Sequence, residues 1–289
     1  DAGDPRSSTR VEPPADEIQS TFPSPPVIAG CTFLRPGDLG YATRLNAVYN
    51  ARTVIAPAMF AVCDTADAIG KVVTWASSKA VAFAVRSGAH SYEGFSGSPG
   101  LVIDIKRLNR VSFNKVSKTV TVGAGATLGD VQTALKGTGY ALACGTCPTV
   151  GIAGHVLGGG YGLLARAYGL ATDSLKSIRL IDPKGSSVAA SSASNRDLFW
   201  ASRGGGGGSF GVVTEFVLRV HAVSNVDVFA LSWTLSRDRA ASLVDTWQKW
   251  APRADTGITA LLKISKAANQ NVSLRCIGQS ISVRAALIA

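Results

Sequence analysis

The chain is short of charge, of histidine and of long apolar runs. Charged residues make up 17% of its 289 residues, and histidine occurs three times. No apolar run approaches the length that crosses a bilayer, so no transmembrane helix is expected. Lysine and arginine outnumber aspartate and glutamate by 29 to 19, yet they form no block of five or six. With aromatics at only 7%, a solvated basic surface accounts for the net charge of +10 better than nucleic-acid binding does. Attraction to anionic ligands or cell-wall polymers is the milder functional reading. No internal repeat is visible, and no signal peptide either. The polar, Pro- and Ser-rich lead over residues 1–26 reads as a flexible arm and as the mature start of a secreted or extracytoplasmic protein. Five cysteines is an odd number, so at least one lies outside any intrachain disulfide; spacing alone does not pair Cys31, Cys63 and Cys276.

Glycine is what the chain has in excess, with 31 residues that are clustered rather than periodic. The densest cluster is Cys144 to Gly162, CGTCPTVGIAGHVLGGGYG, with two cysteines, a histidine and seven glycines. A packed core has little use for so many glycines, whereas a backbone that must approach a flat, phosphate-bearing ligand does. Bare C-x-x-C reads as a zinc knuckle, a redox dithiol or two buried thiols. Zinc needs four ligands; His155 and His90 could supply two, but the glycines around them would leave nothing rigid to hold them. A thioredoxin-type motif should open a helix, but Pro148 and glycines follow here.

Two further loops share this texture. Arg86-Ser-Gly-Ala-His90-Ser-Tyr92 follows a strand pattern, and its small residues suit a turn whose backbone N–H groups hold an anion such as a pyrophosphate. Arg203-Gly-Gly-Gly-Gly-Gly-Ser-Phe-Gly211 has no Lys-Ser/Thr continuation and precedes a strand, which argues against both a Walker loop and a nicotinamide-type Rossmann turn.

Periodicity predicts an α+β fold. Helices are expected over residues 39–51 (Tyr41, Leu45 and Tyr49 on one face), from Thr65 with Asp64 or Thr65 as cap, over 128–136 with Thr127 as cap, over 198–202 and over 239–250. Strands are expected over 53–56, 81–86, 101–105, 119–122, 177–181, 187–190, 212–220, 228–235, 258–264 and 272–277. The early strand–helix–strand spacing suggests a parallel pair with a crossover. The texture changes near Ser224, which sets the expected domains at 27–223 and 224–289. The apolar ending, 285–289, suggests that the second domain is incomplete.

Taken together, RSGAHSYEG, GTCPTVGIAGHVLGGGYG and FWASRGGGGGSFGVVTEF resemble the FAD-binding domain of the vanillyl-alcohol-oxidase superfamily. More narrowly, they resemble the berberine-bridge-enzyme-like flavin oxidases, in order and spacing over about residues 31–220. The resemblance implies a two-subdomain PCMH-type FAD-binding domain. A partial substrate domain, an antiparallel sheet covered by helices, would follow it. It implies FAD bound covalently twice, through His90 to the flavin 8α-methyl and through Cys147 to C6, leaving Cys144 as a structural thiol. The pyrophosphate would sit on the Ser87–Ser91 turn (Ser87, Gly88 and Ala89 with Ser91), with Arg86 also at the cofactor, and the ring against Thr146 to His155. His155 would stabilise charge at N1, and Val150 would be an oxygen gate that favours an oxidase. Gly151, Gly154, Gly158, Gly211 and Val213 would give the cofactor room. Tyr92 and Tyr161 would line the substrate side, although packing roles for both stay open. The resemblance further implies oxidation of an alcohol by hydride transfer, with O2 as acceptor, on a sugar, oligosaccharide or glycoside. A tailoring oxidase of alkaloid-like substrates and a flavin-binding module without turnover are the alternatives. Ala89 and Ala153 stand where the family usually has glycine, and the family's general base lies in a region this chain does not contain.

Overall fold

The computed structural model describes residues 22–223 and 225–282. Most of the expected N-terminal arm (to residue 21), the expected boundary residue Ser224 and the apolar ending 285–289 lie outside these. Phe22, at the end of that arm, packs against the main core.

The first sheet holds β1 (Cys31–Leu34), β2 (Met59–Cys63), β3 (Phe83–Arg86) and β4 (Leu101–Asp104) in the order β1-β2-β4-β3. β2 is buried at all five positions because both its faces are packed, Met59, Ala61 and Cys63 on one cluster and Phe60 and Val62 on another, while its edges pair with antiparallel β1 and parallel β4. The strand expected at 53–56 does not form. Asn50 Oδ1 accepts the N–H of Arg52 at 3.1 Å, which pulls Ala51–Thr53 into a 3₁₀ turn. Pro57 then lacks a ladder donor, and the longer apolar run behind it takes the central place. Helix α1 (Tyr41–Asn46) is shorter than expected and ends before Tyr49. Helix α2 (Ala66–Ser78) is capped by Thr65, whose hydroxyl accepts from Ala68 N–H at 3.1 Å. It forms the expected crossover, but β2 and β3 do not pair directly: β4 lies between them, parallel to both.

The second sheet is antiparallel. It comprises β5 (Val111–Asn114), β6 (Thr119–Gly123), β8 (Leu175–Ile181), β9 (Ser187–Ser191) and β10 (Val212–Arg219), in the order β5-β6-β10-β8-β9. A short strand β7 (Tyr140–Ala141) pairs with β11 (His221–Ala222) at its margin. Between them run α3 (Leu128–Leu135), closed by a Thr127–Asp130 capping box, and α4 (Ile152–Leu157), a helix not expected inside the glycine-rich stretch. Helices α5 (Ala165–Tyr168) and α6 (Arg196–Ala201) complete this part. One core underlies both sheets, with Ile69 of α2, Leu128 of α3, Ile152 of α4 and Phe216 of β10 all fully buried.

The third sheet, β12 (Asp227–Leu235), β13 (Ile258–Lys266) and β14 (Val272–Ser280), is antiparallel in the order β12-β14-β13, with α7 (Arg237–Trp250) packed on it. It is tied back to the rest by Thr259, which donates to Leu163 O at 2.7 Å, and by Arg166, which donates to the carbonyls of Ala251 and Ala254 just past α7.

Candidate active site

The three glycine-rich loops converge. The turn after β3, the loop into α4 and the loop before β10 line one cleft of about 930 Å³, within the range of ligand sites. Its walls include Ser87, Gly88, Ala89, His90, Ser91 and Tyr92 from the first loop. Val150, Gly151, Gly154 and His155 come from the second, and Gly211 and Val213 from the third.

The first loop is held from below. The Arg86 side chain turns away from the cleft: it is buried, donates to Arg44 O at 2.8 Å and to Ser96 O at 3.2 Å, and lies over the Phe60 ring. It braces the loop rather than lining the cleft. Ser87 Oγ donates to Ala124 O at 2.7 Å, fastening the loop to the second sheet. Ala89 adopts φ +55°, a left-handed conformation that glycine takes more readily, within a turn suited to anions. Ala153, by contrast, is an ordinary residue of α4, so its Cβ carries no backbone cost.

His90 is stacked on Tyr49, with ring centroids 4.4 Å apart and planes 20° from parallel, and its Nε2 is 3.0 Å from Thr149 Oγ1. Burial lowers its pKa, favouring the neutral ring. Tyr49 is itself exposed and tied to the loop, with its N–H donating to Ala89 O at 3.0 Å.

The two cysteines of the C-x-x-C have opposite environments. Cys144 is buried and its thiol is pushed up to about 11 by that burial. Cys147 is fully exposed and its thiol is lowered, chiefly by the Thr149 hydroxyl at 3.5 Å, with help from the Thr149 and Val150 backbone. Cys147 and Thr146 are not part of the cleft wall. Cys147 sits beside it through Thr149, and Thr146 lines a second hollow of about 670 Å³ with Cys144, Gly145, Leu163, Val226 and Gln279.

His155 projects from α4, and its Nε2 accepts the Gly145 N–H at 2.9 Å, which places the neutral ring's proton on Nδ1. Burial lowers its pKa as well. Several glycines serve this ring. A Cβ on Gly160 would stand 2.8 Å from His155 Cδ2, and one on Gly145 3.0 Å from Cε1. Gly158 caps α4 and Tyr161 is exposed; neither lines the cleft, whereas the exposed Tyr92 does. Sequence reasoning missed Thr149 and misplaced Tyr49. The signal for Thr149 was a hydroxyl residue two places beyond Cys147.

The cleft fits a flavin dinucleotide. A Cβ added to Gly154 or Gly208 would meet nothing within 4 Å, so bare backbone faces open space where a flat group can lie against it. The His90 imidazole, its pKa lowered by burial, is part of the wall, and the exposed Cys147 thiol, lowered chiefly by the Thr149 hydroxyl, sits beside it. These features define a flavin-binding unit built on two sheets.

The family model for an FAD binding domain matches residues 57–191. The FAD-linked oxidoreductase YgaK of Bacillus subtilis is 39% identical over 212 residues, covering 72% of this chain and 47% of that protein. Reticuline oxidase of Papaver somniferum is 33% identical over 225 residues, covering 76% and 42%. The solved structure of Physcomitrella patens BBE-like 1 superposes with a TM-score of 0.80 at 34% identity, over 90% of this chain and 56% of that one. The chain belongs to the berberine-bridge-enzyme-like FAD-linked oxidoreductases, with their α+β, PCMH-type fold, and it spans about half the length of the curated relatives it matches.

Proposed function

We propose that this chain is the flavin-holding part of an oxidase that removes a hydride and a proton from an alcohol carbon of a sugar, oligosaccharide or glycoside and reduces O2 to H2O2. The observation that carries this reading is the meeting of His90, Val150 and His155 in one glycine-walled cleft, with Cys147 linked to its rim by Thr149. Bound flavin supplies the two-electron acceptor. His90 and Cys147 hold it by covalent bonds, Val150 leaves O2 room beside it, and His155 offers its Nδ1–H as a hydrogen-bond donor. Tyr92, in the cleft wall, orients substrate at its mouth; Tyr161, outside that wall, has no such role. Residues 27–223 form the flavin-binding unit, and 224–289 begin the substrate-binding one.

Absorbance and intact mass after acid denaturation test the attachment: flavin that stays with the chain supports it, and a colourless chain of unmodified mass, from cells supplied with riboflavin, sinks it. A peroxide-release screen over sugars, glycosides and benzylic alcohols tests the substrate class. A relative named reticuline oxidase supports the second reading, a tailoring oxidase of alkaloid-like substrates. Peroxide released with isoquinoline alkaloids and not with saccharides would select that reading.

A further inference from the structure

We propose that Thr149 is a positioning residue whose single hydroxyl orders the protons of His90 and Cys147, readying both side chains for attachment. This rests on the reading of those two residues as flavin tethers. The Thr149 Oγ1 lies 3.0 Å from His90 Nε2 and 3.5 Å from Cys147 Sγ. A hydroxyl has one proton to donate and lone pairs to accept with. Two self-consistent arrangements follow. In one, the Cys147 thiol donates to Oγ1 and Oγ1 donates to Nε2; the sulfur then keeps its proton and the histidine carries its own on Nδ1, so neither is a ready nucleophile. In the other, Nε2–H donates to Oγ1 and Oγ1–H donates to a Cys147 thiolate. The sulfur is then ionised and the lone pair of Nδ1 is free. A relay converts the idle pair into the armed pair: the thiol proton passes to Oγ1, the hydroxyl proton passes to Nε2, and the Nδ1 proton leaves to solvent, so that one proton is released in all.

The surroundings favour the second arrangement. Cys147 is exposed, so burial does not penalise its thiolate, and the Thr149 hydroxyl is the largest influence lowering its pKa. Cys144, three residues earlier, is buried and its thiol is raised. The His90 ring is fixed by stacking on Tyr49, with Tyr92 5.9 Å beyond Tyr49. Glu93 and His155 are the other ionisable groups of the same cleft. Thr149 is itself exposed, so its replacement opens no core.

The test compares the wild type with Thr149→Val, which keeps the shape and removes the hydroxyl, and with Thr149→Ser, which keeps the hydroxyl. Two quantities are read. One is the rate at which iodoacetamide alkylates Cys147 in the flavin-free full-length chain, mapped by peptide mass from about pH 6 to 9. The other is the fraction of chains carrying flavin at His90, at Cys147 and at both. In Thr149→Val the alkylation midpoint should move to higher pH, and the rate at neutral pH should fall about three- to tenfold, the worth of one hydrogen bond. The doubly attached fraction should fall with it, and Thr149→Ser should restore both. A wild-type alkylation profile in Thr149→Val overturns the proposal, and so does a Thr149→Ser variant that fails as badly as valine. If wild-type chains carry flavin at neither residue, the tether reading falls, while the alkylation profiles still decide what Thr149 does to the thiol.

Discussion

Gly88 and Gly151 meet backbone to backbone. A methyl group on Gly88 would run into the Gly151 amide nitrogen and stand 2.6 Å from its Cα; one on Gly151 would run into the Gly88 nitrogen and stand 2.7 Å from Ser87 Oγ. This contact is the seam between the loop that follows the first sheet and the loop that opens α4. It keeps His90 within reach of Thr149. Neither glycine is at positive φ, so what it supplies is space rather than backbone freedom.

Either glycine replaced by alanine should therefore force the two loops apart. The expected cost is at least about 2 kcal/mol of stability, the upper part of the overpacking range, because rigid backbone rather than a flexible side chain stands in the way. Urea denaturation measures it. The flavin content per chain should drop in the same variants, since the seam sets the spacing of the proposed tethers. An unchanged midpoint would mean that the loops separate freely.

Ala89 offers the opposite experiment. A left-handed alanine costs about 1–2 kcal/mol, and glycine returns part of that gain through the extra freedom of its unfolded chain. Ala89→Gly should stabilise the protein by about 0.5–1 kcal/mol, seen as a higher melting temperature. The residue is buried and lines the cleft, so removing its methyl also widens the cleft at that turn.

The residues themselves pointed to glycine-rich loops that approach a flat, phosphate-bearing ligand, the family resemblance gave the T-C-P-T-V-G run its implied role, and the three loops do line one cleft. What failed did so for identifiable physical reasons. Tyr49 keeps the i, i+8 spacing of a buried helical stripe with Tyr41 and Leu45, but α1 ends at Asn46 and releases it to stack on His90. Arg86 reads as an anion ligand at a strand end, yet nearby carbonyls and the Phe60 ring draw it inward. The glycines around His155 looked like cofactor space, and part of that space belongs to the imidazole instead. Such facts depend on contacts between segments far apart in the chain, which periodicity does not record.

Stability should fall on mild acidification. Burial lowers the pKa of His90, His155 and His221, with the charge of Arg219 adding to the effect at His221. Above about pH 6.5, the ordinary histidine value, folded and unfolded chains are both neutral at these positions and pH has no effect through them. Below it, the unfolded chain binds protons that the folded chain refuses, so stability is lost as pH falls toward the depressed folded values. Urea midpoints measured from pH 7.5 down to about 5.5 should decline. His155→Gln should flatten part of that decline, because protonating His155 also ends its role as acceptor for Gly145 N–H.

The last prediction concerns the cysteines outside the cleft. Cys31 and Cys63 are directly opposed across the β1–β2 pair, and their sulfurs are 3.8 Å apart as free thiols. Cys63 is completely buried, and its thiol is pushed up by the hydrogen bond it donates to Cys31 and by burial, so it is inert toward bulky reagents while remaining within reach of its neighbour. Cys31 is partly exposed and offers the point of entry for an oxidant. Equilibration with oxidised glutathione should join the pair and remove two thiols from the count taken after denaturation. Closing a loop of this length should add about 3–4 kcal/mol in the chain-entropy estimate, provided the pair accepts the bond without strain. Cys31→Ser should abolish both the loss of thiols and the gain in melting temperature, and Cys276→Ser should abolish neither. If oxidation instead consumes Cys147, the thiol that the chain exposes most is also its most reactive one, and β1 is held by its hydrogen bonds alone.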